Sequence, residues 1–289
     1  MHKIRKAIIP VGGMGTRFLP ASKAQPKEML PVVDKPVIQY IVEEAVKSGI
    51  QEIIFVTAIG KRAIEDHFDR NFELEYRLAQ KHKTQELKTV AAIGKLAKFA
   101  FVRQNKPLGD GHAVLSALPF IDAHKPVAVL FGDDIIDSKI PALEQLLAVY
   151  DKYRDPVLAL QKVASSEVAN YGIIDGQAIG QKIYEINRLV EKPKPAAAPS
   201  NLAVVGRYIL TPEIFALLRR QKTGPDGEIR LADTFAAYLK QNRSLYGRIF
   251  DGTRYDCGNK LGFLKAQVEM GKKHPEVGRQ FKAYLKKSS

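Results

Sequence analysis

The chain carries a single cysteine, Cys257, which excludes an internal disulfide framework and fits a reducing compartment, so a cytoplasmic location is expected. It has no run of eighteen apolar residues. The apolar stretch after Lys6 is broken by Pro10 and three glycines, so neither a membrane span nor a signal peptide is expected. The familiar nucleotide loops are missing as well. The P-loop pattern G-x-x-x-x-G-K-[ST] does not occur, and in a dinucleotide fingerprint counted from Gly13 the third glycine position holds Phe18. Asp34 stands where a ribose-binding acid would, but Pro20, Pro26 and Pro31 occupy the segment that the intervening helix would need. The six histidines show no metal-type spacing, and there is no Gly-x-Ser-x-Gly elbow. Cys257 has no assignable histidine partner and reads as a small buried filler, not a nucleophile.

What remains is a globular composition: 289 residues, 45% hydrophobic and 26% charged, enough for one large or two modest domains. The net charge of +14 invites a nucleic-acid reading. From Gly258 onward, however, eight Lys or Arg stand against two Glu, spread along helical stretches without the interleaved aromatics of a single-strand platform. A solvated cationic surface, part of it steering a polyanionic substrate, is expected instead, with no nucleic-acid or membrane partner.

The richest segment runs from Ala7 to Pro36. An apolar strand opens into Gly12-Gly13-Met-Gly15-Thr16-Arg17, followed by Pro26-Lys27-Glu28-Met-Leu-Pro31. The glycines allow positive φ and close approach of backbone N–H groups to an anion. Arg17 offers a planar fork and Lys27 a compact charge for phosphate oxygens. The prolines hold the stretch as a fixed loop.

Beyond this loop, strand-like runs (6–11, 52–57, 98–103, 126–131, 156–163, then near 171–175, 183–190, 202–210 and 245–250) alternate with helical ones. The helical runs are 36–48, 60–69, 72–82, 110–118, 141–153, 212–221, 230–241, 259–271 and 275–287. Such alternation predicts an α/β fold, a Rossmann-like, mostly parallel (mixed) sheet flanked by helices, with ligands beyond the carboxyl ends of its strands. The strand Val127–Leu130 then delivers Gly132-Asp133-Asp134 to that edge, and Arg254-Tyr-Asp256 follows another strand. Asp133 and Asp256 are therefore candidate ligands for Mg²⁺, which takes one or two carboxylates and completes its shell with water and substrate phosphates. Asp134 or Asp137 alternatively caps the next helix.

Tyr171-Gly172-Ile-Ile-Asp allows close backbone approach, Glu191-Lys192-Pro193 suits sugar hydroxyls and a phosphate, and Gln104 with Gly109 suits a base. Together, Gly-x-Gly-Thr-Arg17, Pro26-Lys27-Glu-Met-Leu-Pro, Gly132-Asp133, Glu191-Lys192-Pro and Asp256-Cys-Gly-Asn-Lys resemble the sugar-phosphate nucleotidyltransferases. More narrowly, over roughly residues 3 to 285, the chain is similar to the bacterial UTP:glucose-1-phosphate uridylyltransferases.

The resemblance implies transfer of uridylyl from UTP to glucose 1-phosphate, giving UDP-glucose and pyrophosphate. It implies Arg17, Lys27 and Lys192 as the catalytic cations, with Arg17 and Lys27 on nucleotide phosphates and Lys192 on the sugar phosphate. Gly12, Gly13, Gly15, Thr16, Glu28, Gln104 and Gly109 would form the nucleotide site, and Gly172, Glu191 and Lys192 the sugar site. Asp133 and Asp256 would hold magnesium. A thymidylyltransferase, or a non-catalytic regulatory paralogue, is the alternative. The chain departs from the family pattern at Gly12, where alanine is usual, at Asp110, where leucine is common, and at Arg230 and Ala232, where glutamine and threonine are usual. Residues 1–257 are expected to form the catalytic domain and 258–289 a helical segment packed on it. The apolar positions Phe263, Val268, Phe281 and Leu285 would there contact another copy in a homodimer or homotetramer.

Overall fold

The computed structural model describes residues 4–288. Its strands in chain order are β1 (Lys6–Pro10), β2 (Pro31–Val32), β3 (Lys35–Pro36), β4 (Glu52–Thr57), β5 (Lys98–Arg103), β6 (Val127–Leu130) and β7 (Asp134–Asp137). They continue as β8 (Val157–Lys162), β9 (Gly172–Gly180), β10 (Ile183–Glu191), β11 (Leu202–Leu210), β12 (Tyr246–Ile249) and β13 (Thr253–Asp256). A nine-stranded sheet runs in the order β5-β4-β1-β6-β11-β8-β12-β10-β9.

The sheet is mixed. β5, β4, β1 and β6 pair in parallel, as expected for strands separated by helices, and β12 is parallel to β8. The remaining pairings are antiparallel, because the β9–β10 hairpin has no helix between its strands and β11 runs against both β6 and β8. Side chains of β1 alternate between two apolar layers, Ala7 and Ile9 on one face and Ile8 on the other, and β4 does the same with Ile53 and Phe55 against Ile54 and Val56. Helices Val37–Lys47 and Ala142–Tyr153 cover the first face, and Asp110–Ala117, Pro212–Leu218 and Leu231–Leu239 the second.

Every helix anticipated from the sequence forms. Val37–Lys47 starts after Pro36 and ends before Gly49, which takes a φ of 94°. Thr84–Ile93 is an additional helix with no fully buried residue, touching the core only through the partly buried Ile93. A second addition is the antiparallel pair β7–β13, which places Asp256 opposite Asp134. Asp134 and Asp137 thus begin and end a strand and cap no helix; Pro141 occupies the N-cap of the next one. At the C-terminal end, Lys260–Lys273 is capped by the Asn259 side chain, which accepts from the Gly262 N–H. Gln267 of that helix ties it to the β2–β3 turn, accepting from the Val33 N–H and donating to the Pro31 carbonyl.

One buried ion pair joins these layers. Arg207 of β11 is fully buried, its Nε 3.0 Å from Glu44 Oε1 and its Nη2 2.7 Å from both Glu44 Oε2 and the Asp134 carbonyl oxygen. Glu44 also accepts from the Leu143 N–H. Helix Val37–Lys47, strand β11, helix Ala142–Tyr153 and the start of β7 therefore meet on two side chains. Removing one partner of such a pair strands a buried charge. Arg207→Met is expected to lower unfolding free energy in urea by about 3–5 kcal/mol, and adding Glu44→Leu is expected to recover part of that loss. A double variant as costly as the sum of the singles contradicts the pairing.

Candidate active site

Strands β1, β5 and β6 end at one edge of the sheet, and their following loops line a cleft of ≈ 530 Å³. Among its lining residues are Gly12, Gly13, Lys27, Glu28, Gln104, Gly109, Asp133, Glu191 and Lys192, which brings most of the residues singled out in the sequence to one place. A second, deeper cavity of ≈ 190 Å³ shares Asp110, Phe131, Glu191 and Arg230 with the cleft and adds Tyr171, Gly172, Asp134 and Arg254.

The floor of the cleft is a charge network. Lys27 Nζ lies 2.6 Å from Asp133 Oδ2. Burial opposes both charges, but each ion holds the other in its charged form, so Lys27 sits above its ordinary pKa and Asp133 below. A Cβ added at Gly258 would lie 2.8 Å from Asp133 Oδ2 and 2.9 Å from Asp256 Oδ1, so the two carboxylates converge on a backbone position where a methyl group would displace them. The Gly258 N–H donates to Asp256 Oδ1 at 2.8 Å, and the Cys257 N–H to the Asp133 carbonyl at 2.8 Å. Two carboxylates brought together from β13 and from the turn after β6 suit a hard divalent cation that completes its shell with water and phosphate oxygens.

Behind them, Arg254 Nη2 lies 2.7 Å from Asp134 and 3.7 Å from Asp256. Burial pushes the Asp134 carboxyl up while Arg254 draws it down, leaving it above the ordinary range. Arg254 escapes a motif search, yet it stands two residues before Asp256 on one strand, and period-two alternation puts both on the same face. Cys257 is buried among these acids and its thiol is pushed far up by burial, consistent with an inert filler.

At the far side of the cleft, Gln104 donates through Nε2 to the Gly109 carbonyl at 3.0 Å and contacts His112 Nδ1 at 3.0 Å. This leaves its Oε1 facing Gly12, where a Cβ would stand 3.1 Å away. Gly109 has φ 93°, and a Cβ there would meet the Ile229 carbonyl at 2.7 Å, so this position requires glycine. Glu28 is buried beside Lys61, 2.8 Å away; burial pushes its carboxyl up and Lys61 opposes the shift. In the inner cavity, Gly172 lies opposite Glu191 in the β9–β10 register, and a Cβ on it would meet Glu191 Oε2 at 3.1 Å. The close approach at this glycine is made by the Glu191 carboxylate. Lys192 follows with φ 45° and donates its N–H to the Tyr171 carbonyl.

Two expectations are modified. Of Gly12, Gly13 and Gly15, only Gly15 takes a positive φ, 68°, where Lys27 Cβ lies close; the first two are useful for their lack of side chain instead. Arg17, with Thr16, lies on the exposed turn Thr16–Phe18, and its guanidinium engages no ion-pair partner among the described residues. The network on the floor uses Lys27, and Arg17 stands outside it.

Gly258→Ala would push a methyl group between the two carboxylates. It is expected to weaken Mn²⁺ binding, followed by electron paramagnetic resonance, by about tenfold or more while leaving the thermal midpoint nearly unchanged. Undiminished Mn²⁺ affinity contradicts a shared cation site at Asp133 and Asp256.

Comparison with known proteins places this geometry. Residues 6–273 match the model of the family described as nucleotidyl transferase. The UTP–glucose-1-phosphate uridylyltransferase YngB of Bacillus subtilis is 51% identical over 283 residues, covering 98% of this chain and 95% of that protein. The UDP-glucose pyrophosphorylase of Acinetobacter baumannii superposes with a TM-score of 0.91 at 40% identity, covering 99% of this chain and 100% of that one. A UTP-bound structure of the Acinetobacter baumannii enzyme gives 0.90 at 41% identity, with 98% of each chain covered. With a match across nearly the whole chain and the family's acidic and basic motifs gathered at one sheet edge, the chain belongs to the nucleotidyl transferase family.

Proposed function

We infer that this enzyme transfers the uridylyl group of UTP to glucose 1-phosphate, forming UDP-glucose and pyrophosphate. The observation that carries the reading is the continuity of the Lys27–Asp133 cleft with the inner cavity lined by Gly172 and Glu191, a layout for two phosphorylated substrates end to end. The relatives named for this reaction, about half identical over their full length, support it.

Each substrate brings a terminal phosphate of about −1.5 to −2 charge near neutral pH, so the two repel unless cations stand between them. Lys192, exposed at the mouth on a long stem, is placed to hold the phosphate of the sugar, and Lys27 that of the nucleotide. Arg17 would add to the nucleotide phosphates from the rim. Gln104 and Gly109, with the Gly12–Gly13 backbone and Glu28, would read uracil, while Glu191 and Gly172 would receive glucose.

The sugar phosphate is already an ionised nucleophile, so no general base is needed. In-line attack on the α-phosphorus forms the new P–O bond as the bond to pyrophosphate breaks, without a covalent enzyme intermediate. Positioning and electrostatic stabilisation then supply the acceleration. Asp133 and Asp256 fit Mg²⁺, which when bound neutralises phosphate charge. No described helix is long and apolar enough to cross a membrane; the buried single cysteine supports a reducing, cytoplasmic setting. Residues 1–257 would act as the catalytic domain. The C-terminal helices would carry the contact of a homodimer or homotetramer, through the groove lined by Val33, Leu264, Val268 and Phe281. Phe263 instead faces inward, against Phe18.

Pyrophosphate release from a panel of nucleoside triphosphates with glucose 1-phosphate tests the reading. UTP with Mg²⁺ is expected to be the best donor, ahead of 5-methyl-UTP by a factor of about ten or more, since one ring methyl is worth about 1–3 kcal/mol, with dTTP, which also lacks the 2′-hydroxyl, no better. Silence across the panel contradicts it. Lys27→Ala is expected to lower kcat/KM for both substrates about a hundredfold or more with only a modest fall in thermal midpoint from the loss of its ion pair with Asp133, and Lys192→Ala to act mainly through glucose 1-phosphate with its midpoint little changed. Wild-type turnover by either variant removes that lysine from the mechanism.

A further inference from the structure

Asp110 sits where the two cavities join, one of the few residues that line both. Its Oδ1 is fully used. It accepts from the Gly111 N–H at 2.7 Å and the Leu231 N–H at 3.1 Å, tying the start of helix Asp110–Ala117 to the start of helix Leu231–Leu239. Its Oδ2 has no donor among the described residues. The only cation shared by the two cavities, Arg230, is engaged elsewhere, with Asp226 and with Glu228 at 3.2 Å. Burial, with the nearby Glu191 and Glu228, raises the Asp110 carboxyl to about 6, while Arg230 and Arg254 also line the cavity. A hydroxyl would supply the donor that Oδ2 lacks.

Resting on the reaction proposed above, we propose that Asp110 is a specificity-determining residue whose Oδ2 accepts a hydrogen bond from a hydroxyl of the acceptor hexose. The geometry separates two jobs on one side chain: Oδ1 holds the backbone of the two helices, and Oδ2 addresses the substrate. A hydrogen bond to an ionised acceptor is stronger than a neutral one, so a sugar that lacks the donor forfeits that contact.

The test is coupling between enzyme and substrate changes. Asp110→Asn keeps a side-chain oxygen for the Gly111 and Leu231 N–H groups but turns the substrate-facing atom into a donor. kcat/KM is measured for wild type and variant with glucose 1-phosphate and each of its monodeoxy analogues, and with UTP against its ribose-deoxy analogues, alongside thermal midpoints. In the wild type one monodeoxy sugar is expected to lose about tenfold or more relative to glucose 1-phosphate, a penalty that disappears in Asp110→Asn. The ribose-deoxy penalties are expected to be the same in both proteins. Equal sugar penalties in wild type and variant, or coupling to a ribose hydroxyl instead, overturn the assignment. A wild-type enzyme that releases no pyrophosphate from UTP and glucose 1-phosphate would overturn the reaction itself, a different failure from additive penalties in an active enzyme. Asp110→Leu serves as the structural control: it removes both oxygens and is expected to lower the midpoint, which Asp110→Asn does not.

Discussion

The architecture depends on keeping carboxylates ionised side by side at a sheet edge without letting their repulsion open it. Like charges about 4 Å apart repel by about 4 kcal/mol at an effective dielectric constant near 20. Asp133, Asp134 and Asp256 would therefore pick up protons or separate if they stood alone. Lys27 balances Asp133 from the front, and Arg254 balances Asp134 and Asp256 from behind. The result divides their roles: Lys27 keeps Asp133 readily ionised, whereas burial leaves Asp134 harder to ionise. Asp133 lines the open cleft and Asp134 the inner cavity, while Asp256 lies behind Asp133 across Gly258.

That balance is maintained by the fold. Arg207 reaches from β11 through the core to Glu44 and to the Asp134 carbonyl, which fixes the turn immediately after Asp133. The Cys257 N–H holds the Asp133 carbonyl, so the metal-facing acids are joined through backbone as well as charge. The mixed topology has a functional consequence. The parallel half of the sheet, β5-β4-β1-β6, ends in loops that make the open nucleotide cleft. The antiparallel β9–β10 pair, with β11 beside it, walls the smaller cavity where Gly172 and Glu191 meet. The two compartments correspond to two strand arrangements within one sheet.

Much of this was legible in the sequence because the signals were local. Pro36 and Gly49 bracket a helix, apolar runs mark the strands, and the Gly12–Pro31 loop announces its chemistry by residue type. Helix Thr84–Ile93 was not anticipated; its apolar contact with the core is confined to its C-terminal end, at Ile93. The β7–β13 pairing was not legible either, because two four-residue strands far apart in sequence carry no periodicity that names a partner. For the same reason Arg254, Arg230 and Asp110 did not stand out as site residues: each acquires its meaning from a neighbour more than a hundred residues away or from a cavity wall. Arg17 shows the converse. Its residue type and position in a motif suit a phosphate, yet its side chain lies outside the charge network that the fold assembles.

The large positive charge of the chain falls outside this network too. The site itself is close to charge-balanced, and the excess lies on exposed surfaces such as the helices Lys260–Lys273 and Gly278–Ser288, where its effect on two polyanionic substrates would be long-range attraction, not contact. The central claim concerns contact, and a crystal structure with bound UDP-glucose tests it most directly. The account predicts the diphosphate within hydrogen-bonding distance of Lys27 and Lys192, uracil against Gln104 and Gly109, and the hexose in the cavity walled by Gly172, Glu191 and Asp110. A diphosphate lying away from Lys27 and Asp133, or a hexose outside that cavity, would contradict it.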